Sequence, residues 1–200
     1  MPKVEQTKQR IISRSAVVFN KQGIEATSID EIIASAGISR RGFYKHFESK
    51  EALSYCVVDY LLEQNISRIL DATKTGSVKK KLFRFLELYR NPAGTGPLPE
   101  SYQEGGCPVM NFGLESDDTN ATIQGKVELA IKKTLDLLTI ILKAGQSCGE
   151  LSLQLNATQF ALKIFSTVKG GMLVSRVLRD DSHMDNIIAM LKEEIISFEK

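Results

Sequence analysis

Two hundred residues, 42% hydrophobic and 25% charged, can bury a sizeable core in one or two domains, which excludes a mostly disordered chain. Three cysteines, Cys56, Cys107 and Cys148, form no CxxC pair and so exclude a disulfide framework and argue against a structural zinc site. The net charge of +2 hides an asymmetry: residues 1–50 hold nine Lys/Arg against five Asp/Glu, while the remainder is slightly acidic, as expected where one small region meets a polyanion.

Helical periodicity dominates the chain and no alternating Val/Ile/Thr run occurs, which predicts an all-α fold. In the first predicted helix Ile11, Ile12, Ala16 and Phe19 share a face, and Gly23 stops it. A short second helix follows the N-cap residues Thr27 and Ser28, carries Asp30 and Glu31 in its first turn, and ends at Ala36-Gly37. The third runs from Ser39 to about Phe47, with Phe43 and Phe47 four apart, and Ser49 caps a long helix containing Leu53, Val57, Tyr60, Leu61 and Ile66. A helix over about 77–89 precedes Asn91–Pro99, where three of the five prolines rule out regular helix. A second loop, 104–108, leads into a short apolar helix, and long helices are expected over about 122–145, 156–179 and 184–198. No apolar run approaches the ~20 residues that cross a bilayer, and the first residues carry no apolar signal core, so a cytoplasmic location and no membrane partner are expected.

Residues 27–47 have the layout of a helix-turn-helix: two short helices meet at a corner containing Gly37, which tolerates the left-handed backbone such a turn needs. Ile38 plugs the corner and Ser39 caps the second helix, which turns Arg40, Arg41, Tyr44 and Lys45 outward and Phe43 and Phe47 inward. A recognition helix of this kind enters the major groove, where Arg donates two hydrogen bonds to guanine and hydroxyls reach phosphates or bases. Lys50 and the hydroxyls of Thr27 and Ser28 are placed to hold phosphate. His46 either packs at the helix end or contacts DNA.

The runs Gly23-Ile24-Glu25-Ala26-Thr27-Ser28-Ile29, Ala36-Gly37-Ile38-Ser39 and Phe43-Tyr44-Lys45-His46-Phe47-Glu48-Ser49-Lys50-Glu51-Ala52-Leu53 resemble the TetR family of transcriptional regulators. The resemblance implies a DNA face formed by Thr27, Ser28, Ser39, Arg40, Arg41, Tyr44, Lys45, His46 and Lys50. It implies a domain boundary near residue 50, with DNA binding over 1–50 and a helical bundle over 51–200 that binds an effector and dimerises. Many members carry a small residue where this chain has Arg41, which puts a second long cation near the groove. The partners implied are a double-stranded operator, a small-molecule effector and a second copy of the chain. Repression is the family's usual mode.

In the larger domain Ala161, Ile164, Phe165, Val168, Met172 and Ser175 form one stripe, and Ile187, Ile188, Leu191 and Ile195 another. The two stripes are read as the homodimer interface of the two C-terminal helices, with intrachain core as the alternative; Gly170-Gly171 would let another helix approach closely. The stretch Gly106-Cys107-Pro108-Val109-Met110-Asn111-Phe112-Gly113-Leu114-Glu115 is similar to one in a subgroup of the family that includes regulators of electrophile or oxidant response. Cys107 near a helix N-terminus is a candidate thiolate or an inert buried thiol. A cavity lined by Leu86, Tyr89, Tyr102, Cys107, Met110, Asn111, Phe112, Leu138 and Phe165 is expected to take a hydrophobic, aromatic or electrophilic effector.

No enzyme is expected, and no cofactor or metal. The two histidines, His46 and His183, have no catalytic companion at a recognisable spacing, and Gly94-Thr95-Gly96 lacks a preceding strand and a GK[ST] ending. Asp117-Asp118 reads as a solvated loop or cap. A helical adaptor binding protein alone accounts for the bundle but leaves the basic N-terminal region unexplained.

Overall fold

A computed structural model describes residues 3–90 and 100–200, all of whose regular elements are α-helices. In chain order they are α1 (Lys3–Gln22), α2 (Ile29–Ala36), α3 (Arg40–Tyr44), α4 (Lys50–Thr73), α5 (Val78–Glu87), α6 (Glu100–Gly105), α7 (Pro108–Ser116), α8 (Ala121–Ser147), α9 (Ala157–Leu178) and α10 (Ser182–Ser197). The all-α expectation therefore holds. Helix α6 is absent from the sequence reading, and α3 stops three residues earlier than expected. The proline-rich loop 91–99 lies outside the described residues.

By their contacts the residues form two compact units, one drawn from Met1–Gln64 and Leu98–Glu128, the other from Asn65–Pro97 and Leu129–Lys200. These spans cut the chain differently from the domain boundary expected near residue 50. In the first unit α1 packs against α2, α6 and α7. Ile11, Ala16, Phe19, Ile32, Phe43, Leu53 and Val57 are fully buried there. Burying an aliphatic or aromatic side chain stabilises by roughly 1.5–3 kcal/mol, so these few residues carry the small unit.

In the second unit α9 packs on α10, and α10 on α5. Here the stripes read as dimer faces turn inward. Ala161, Ile164, Val168, Met172 and Ser175 are buried within the chain, as are Ile188, Leu191 and Ile195, while Phe165 and Ile187 are half-buried. The close approach foreseen at the glycine pair is intrachain: a Cβ on Gly171 would lie 2.5 Å from Ile187 Cδ1, so α10 seats directly on the α9 backbone. The opposite face of α9 exposes Leu162, Gly170, Leu173, Val174 and Val177, and α10 exposes Met190 and Ile196.

Candidate nucleic-acid interface

Helix α2 begins at a reciprocal cap. Ser28 Oγ accepts from the Glu31 backbone N–H (3.2 Å), and Glu31 Oε2 accepts from the Ser28 backbone N–H (2.8 Å). The Ser28 backbone N–H, the Ser28 hydroxyl (2.8 Å) and the Gln22 amide (3.1 Å) all donate to the exposed Glu31 carboxyl and hold it below its ordinary pKa. Gly37 ends the helix at φ +60°, the left-handed conformation that reverses the chain toward α3. Ser39 then caps α3, its Oγ accepting from Gly42 N–H at 3.1 Å. Phe43 is the buried residue of α3 and stacks at 6.1 Å, centroid to centroid, on Phe47.

With Phe43 inward, the helix turns Arg40, Arg41 and Tyr44 to solvent, and Lys45 follows at its C-cap. Tyr44 keeps 49% of its surface exposed. Arg40 Nη2 lies 3.6 Å from Asp30 Oδ1, and both side chains are exposed. Such a pair is worth at most about 1 kcal/mol, so Asp30 holds the guanidinium only weakly. His46 is half-buried, and Ser28 and Ser39 are exposed although their hydroxyls serve as caps.

Two of the anticipated phosphate contacts are placed otherwise. Thr27 is 1% exposed; its hydroxyl donates to Gly23 O (2.6 Å) and accepts from Gln22 (3.2 Å). Lys50 directs its ammonium at three carbonyls, those of Ile24 (2.8 Å), Glu25 (3.1 Å) and Thr27 (3.0 Å). An ammonium has three protons to donate, so Lys50 is a clasp on the α1–α2 loop rather than a phosphate ligand. Glu115 grips the same loop from α7, its Oε1 accepting from Glu25 N–H at 2.9 Å. Sequence reasoning missed both clasps because their partners are backbone atoms, which leave no trace in residue type.

The candidate effector residues divide between the units. Tyr102, Cys107, Met110, Asn111 and Phe112 belong to the first. Tyr102, Cys107 and Phe112 are buried, and Cys107 occupies the N-cap of α7 without a side-chain cap bond. Asn111, read as cavity-lining, instead turns its amide onto α1 and the end of α6. Its Nδ2 donates to Asn20 O (2.9 Å), Asn20 Oδ1 (3.0 Å) and Gly105 O (2.8 Å). Leu86, Tyr89, Leu138 and Phe165 belong to the second unit. Leu86, Tyr89 and Leu138 are buried there. Tyr89 and Phe165 meet around Lys169, whose ammonium lies 4.5 Å and 5.3 Å from their ring centroids. That buried lysine, 7% exposed, was not foreseen; nothing in helical periodicity distinguishes a buried cation from a surface one.

A short cationic helix set beyond a glycine corner, with its apolar side anchored and its polar side bare, defines a helix-turn-helix DNA-binding protein. Residues 11–54 match the family profile described as bacterial regulatory proteins, tetR family, and residues 81–191 match the profile of the tetracyclin repressor-like C-terminal domain. The chain belongs to the TetR family. It is similar to the HTH-type transcriptional repressor DhaR of Mycobacterium sp. (strain GP1), with 20% identity over 192 residues, 94% of this chain and 92% of DhaR. Its fold matches a TetR transcriptional regulator from Chloroflexus aurantiacus J-10-FL at a TM-score of 0.91 and 29% identity, over 100% of this chain and 98% of that one. A TetR-family regulator from Cytophaga hutchinsonii matches at 0.87 and 26%, again over 100% and 98%. The chain is thus a DNA-binding transcriptional regulator of the repressor class and not an enzyme. Among the described residues no helix is long and apolar enough to cross a membrane.

Proposed function

We infer that this chain is a cytoplasmic repressor that binds a palindromic operator as a two-fold dimer and is released by a small-molecule effector. Residues 1–50 bind DNA and 51–200 bind the effector and dimerise. The observation that carries the reading is the bare face of α3: Arg40, Arg41, Tyr44 and Lys45 face solvent on a frame whose neighbouring polar groups are engaged internally. Arg41 reads bases; Tyr44 and Lys45 reach phosphates, with Ser28, Ser39 and His46 flanking them. The effector is hydrophobic or aromatic, in keeping with Tyr89, Phe165, Leu86 and Leu138. Burial of Cys107 favours this over an electrophile. The effector changes the spacing of the two recognition helices through α4, which runs from Lys50 through both units, at a coupling of about 1–3 kcal/mol.

A gel shift with DNA flanking the chain's own gene tests the reading. A salt-sensitive, sequence-dependent shift is expected, and its absence refutes DNA binding. In the same assay Arg41→Ala is expected to weaken specific binding by about 5- to 150-fold, the ~1–3 kcal/mol of a lost bidentate base contact. Stability should not change, because the side chain is exposed. Equal weakening on operator and random DNA would instead make Arg41 a phosphate ligand.

The exposed α9 stripe is the face that supports dimerisation, since an apolar row of this length on a soluble helix calls for a partner. Leu173 and Val177, 50% and 71% exposed, lie a turn apart on it. Leu173→Asp with Val177→Asp is expected to yield a folded monomer by light scattering that no longer shifts the operator. A variant that remains dimeric places the interface elsewhere.

A further inference from the structure

Within the first unit a groove of about 320 Å³ opens between the α1–α2 loop, the start of α4, α7 and the first turn of α8. Its floor is apolar, formed by the buried Ile24, Phe112 and Ile123. Its rim carries the carboxylates of Glu25, Glu51 and Glu115. Lys50 also borders the groove, but its three protons point at loop carbonyls. The hydroxyls of Ser54, Ser116 and Thr119 donate to the carbonyls of Glu51, Phe112 and Glu115, so toward the groove they offer lone pairs rather than protons.

Asn120 also lines the groove; its Oδ1 accepts from Ile123 N–H (3.0 Å), so its amide NH2 is a neutral donor there. Acceptors outnumber it, and the wall is net negative above an apolar base. An anion would meet repulsion there with no proton from Lys50 to offset it. A neutral apolar molecule would strip water from the carboxylates without replacing its hydrogen bonds, which is unfavourable. A protonated amine on an apolar body satisfies both surfaces. A volume near the lower end of ligand pockets, roughly 300 Å³, suits a single aromatic ring with a short chain.

We propose that this groove is a second small-molecule site, apart from the effector residues of the second unit, that takes an arylalkylammonium ion. An ammonium beside Glu115 competes with the Glu25 backbone N–H for the carboxylate by which α7 holds the loop leading into α2. Occupancy of the groove thus acts on the helix-turn-helix from its α1–α2 side.

Calorimetric titration of the full-length protein with phenethylammonium chloride, without DNA, tests this. Saturable one-to-one binding is expected, with no binding of 2-phenylethanol, which keeps the ring and chain but lacks the charge. Glu51→Gln and Glu25→Gln, which preserve side-chain size, are each expected to weaken binding about tenfold or more by removing a charge partner. No saturable heat with the amine, equal binding of the alcohol, or unchanged affinity in both Gln variants overturns the proposal. The amine–alcohol comparison uses the unaltered protein, so it decides even if a variant folds poorly. Failure here leaves the gel-shift result intact, and a negative gel shift leaves the titration interpretable.

Discussion

Phe43→Ala is expected to lower unfolding free energy by about 3–5 kcal/mol, the cost of emptying a fully enclosed aromatic site, and to abolish the operator shift. Helix α3 has only five residues, and Phe43 is the one it buries. A helix this short cannot hold itself in water, because nucleation alone is unfavourable. Its orientation depends on the stacking of Phe43 on Phe47 and on the cap from Ser39. Without the ring, Arg40, Arg41 and Tyr44 lose the fixed register in which α3 presents them together to solvent. Urea unfolding and gel shift, run beside Arg41→Ala, separate the two effects: Arg41→Ala should lose affinity at an unchanged midpoint, and Phe43→Ala should lose both. A Phe43→Ala protein that keeps its midpoint and still shifts the operator would show that α3 is positioned by something other than its aromatic anchor.

The parts of the fold governed by local chemistry were legible in the sequence. Ser28 and Ser39 announce helix starts through their own side chains, Gly37 announces the corner, and the four-residue spacing of Phe43 and Phe47 announces the inward face. What depends on long-range backbone contact was not. Lys50 looks like any cation near a recognition helix until three carbonyls of residues 24–27 are folded over it. Asn111 looks like a ligand group until Asn20, 91 residues earlier, arrives beside it. Helix α6 escaped notice because six residues, the last of them the first of a glycine pair, show less than two turns of periodicity. On α9 periodicity marked an apolar stripe correctly but not its destination. The helix is apolar on two sides, Ile164 and Val168 on one and Leu173 and Val177 on the other, and only packing decides which is core.

The second large effect is expected at a glycine no motif marks. A Cβ at Gly105 would sit 2.2 Å from the Asn20 carbonyl oxygen and 2.4 Å from its carbon. Those are backbone atoms of α1 and cannot swing aside as a flexible side chain can. Gly105→Ala must therefore push α6 off α1, and the bonds at that joint resist. Asn20 Nδ2, on a buried side chain, donates to Ser101 O (2.8 Å) and Gly106 O (2.9 Å), while Asn111 ties Asn20 to Gly105. A destabilisation of about 3 kcal/mol, the upper end for overpacking, is expected by denaturant unfolding. Gly125→Ala is the matched control: its Cβ would meet nothing within 4 Å on α8, so the gain in helix propensity should stabilise the protein by up to about 1 kcal/mol. Opposite signs for the same chemical change would establish that the α6–α1 joint, from which the chain passes directly into the helix-turn-helix, is as tight as the contact distances make it. If Gly105→Ala instead melted with Gly125→Ala, α6 would not rest on α1, and the Asn20–Asn111 tie would lose its role in holding the DNA-reading end of the chain.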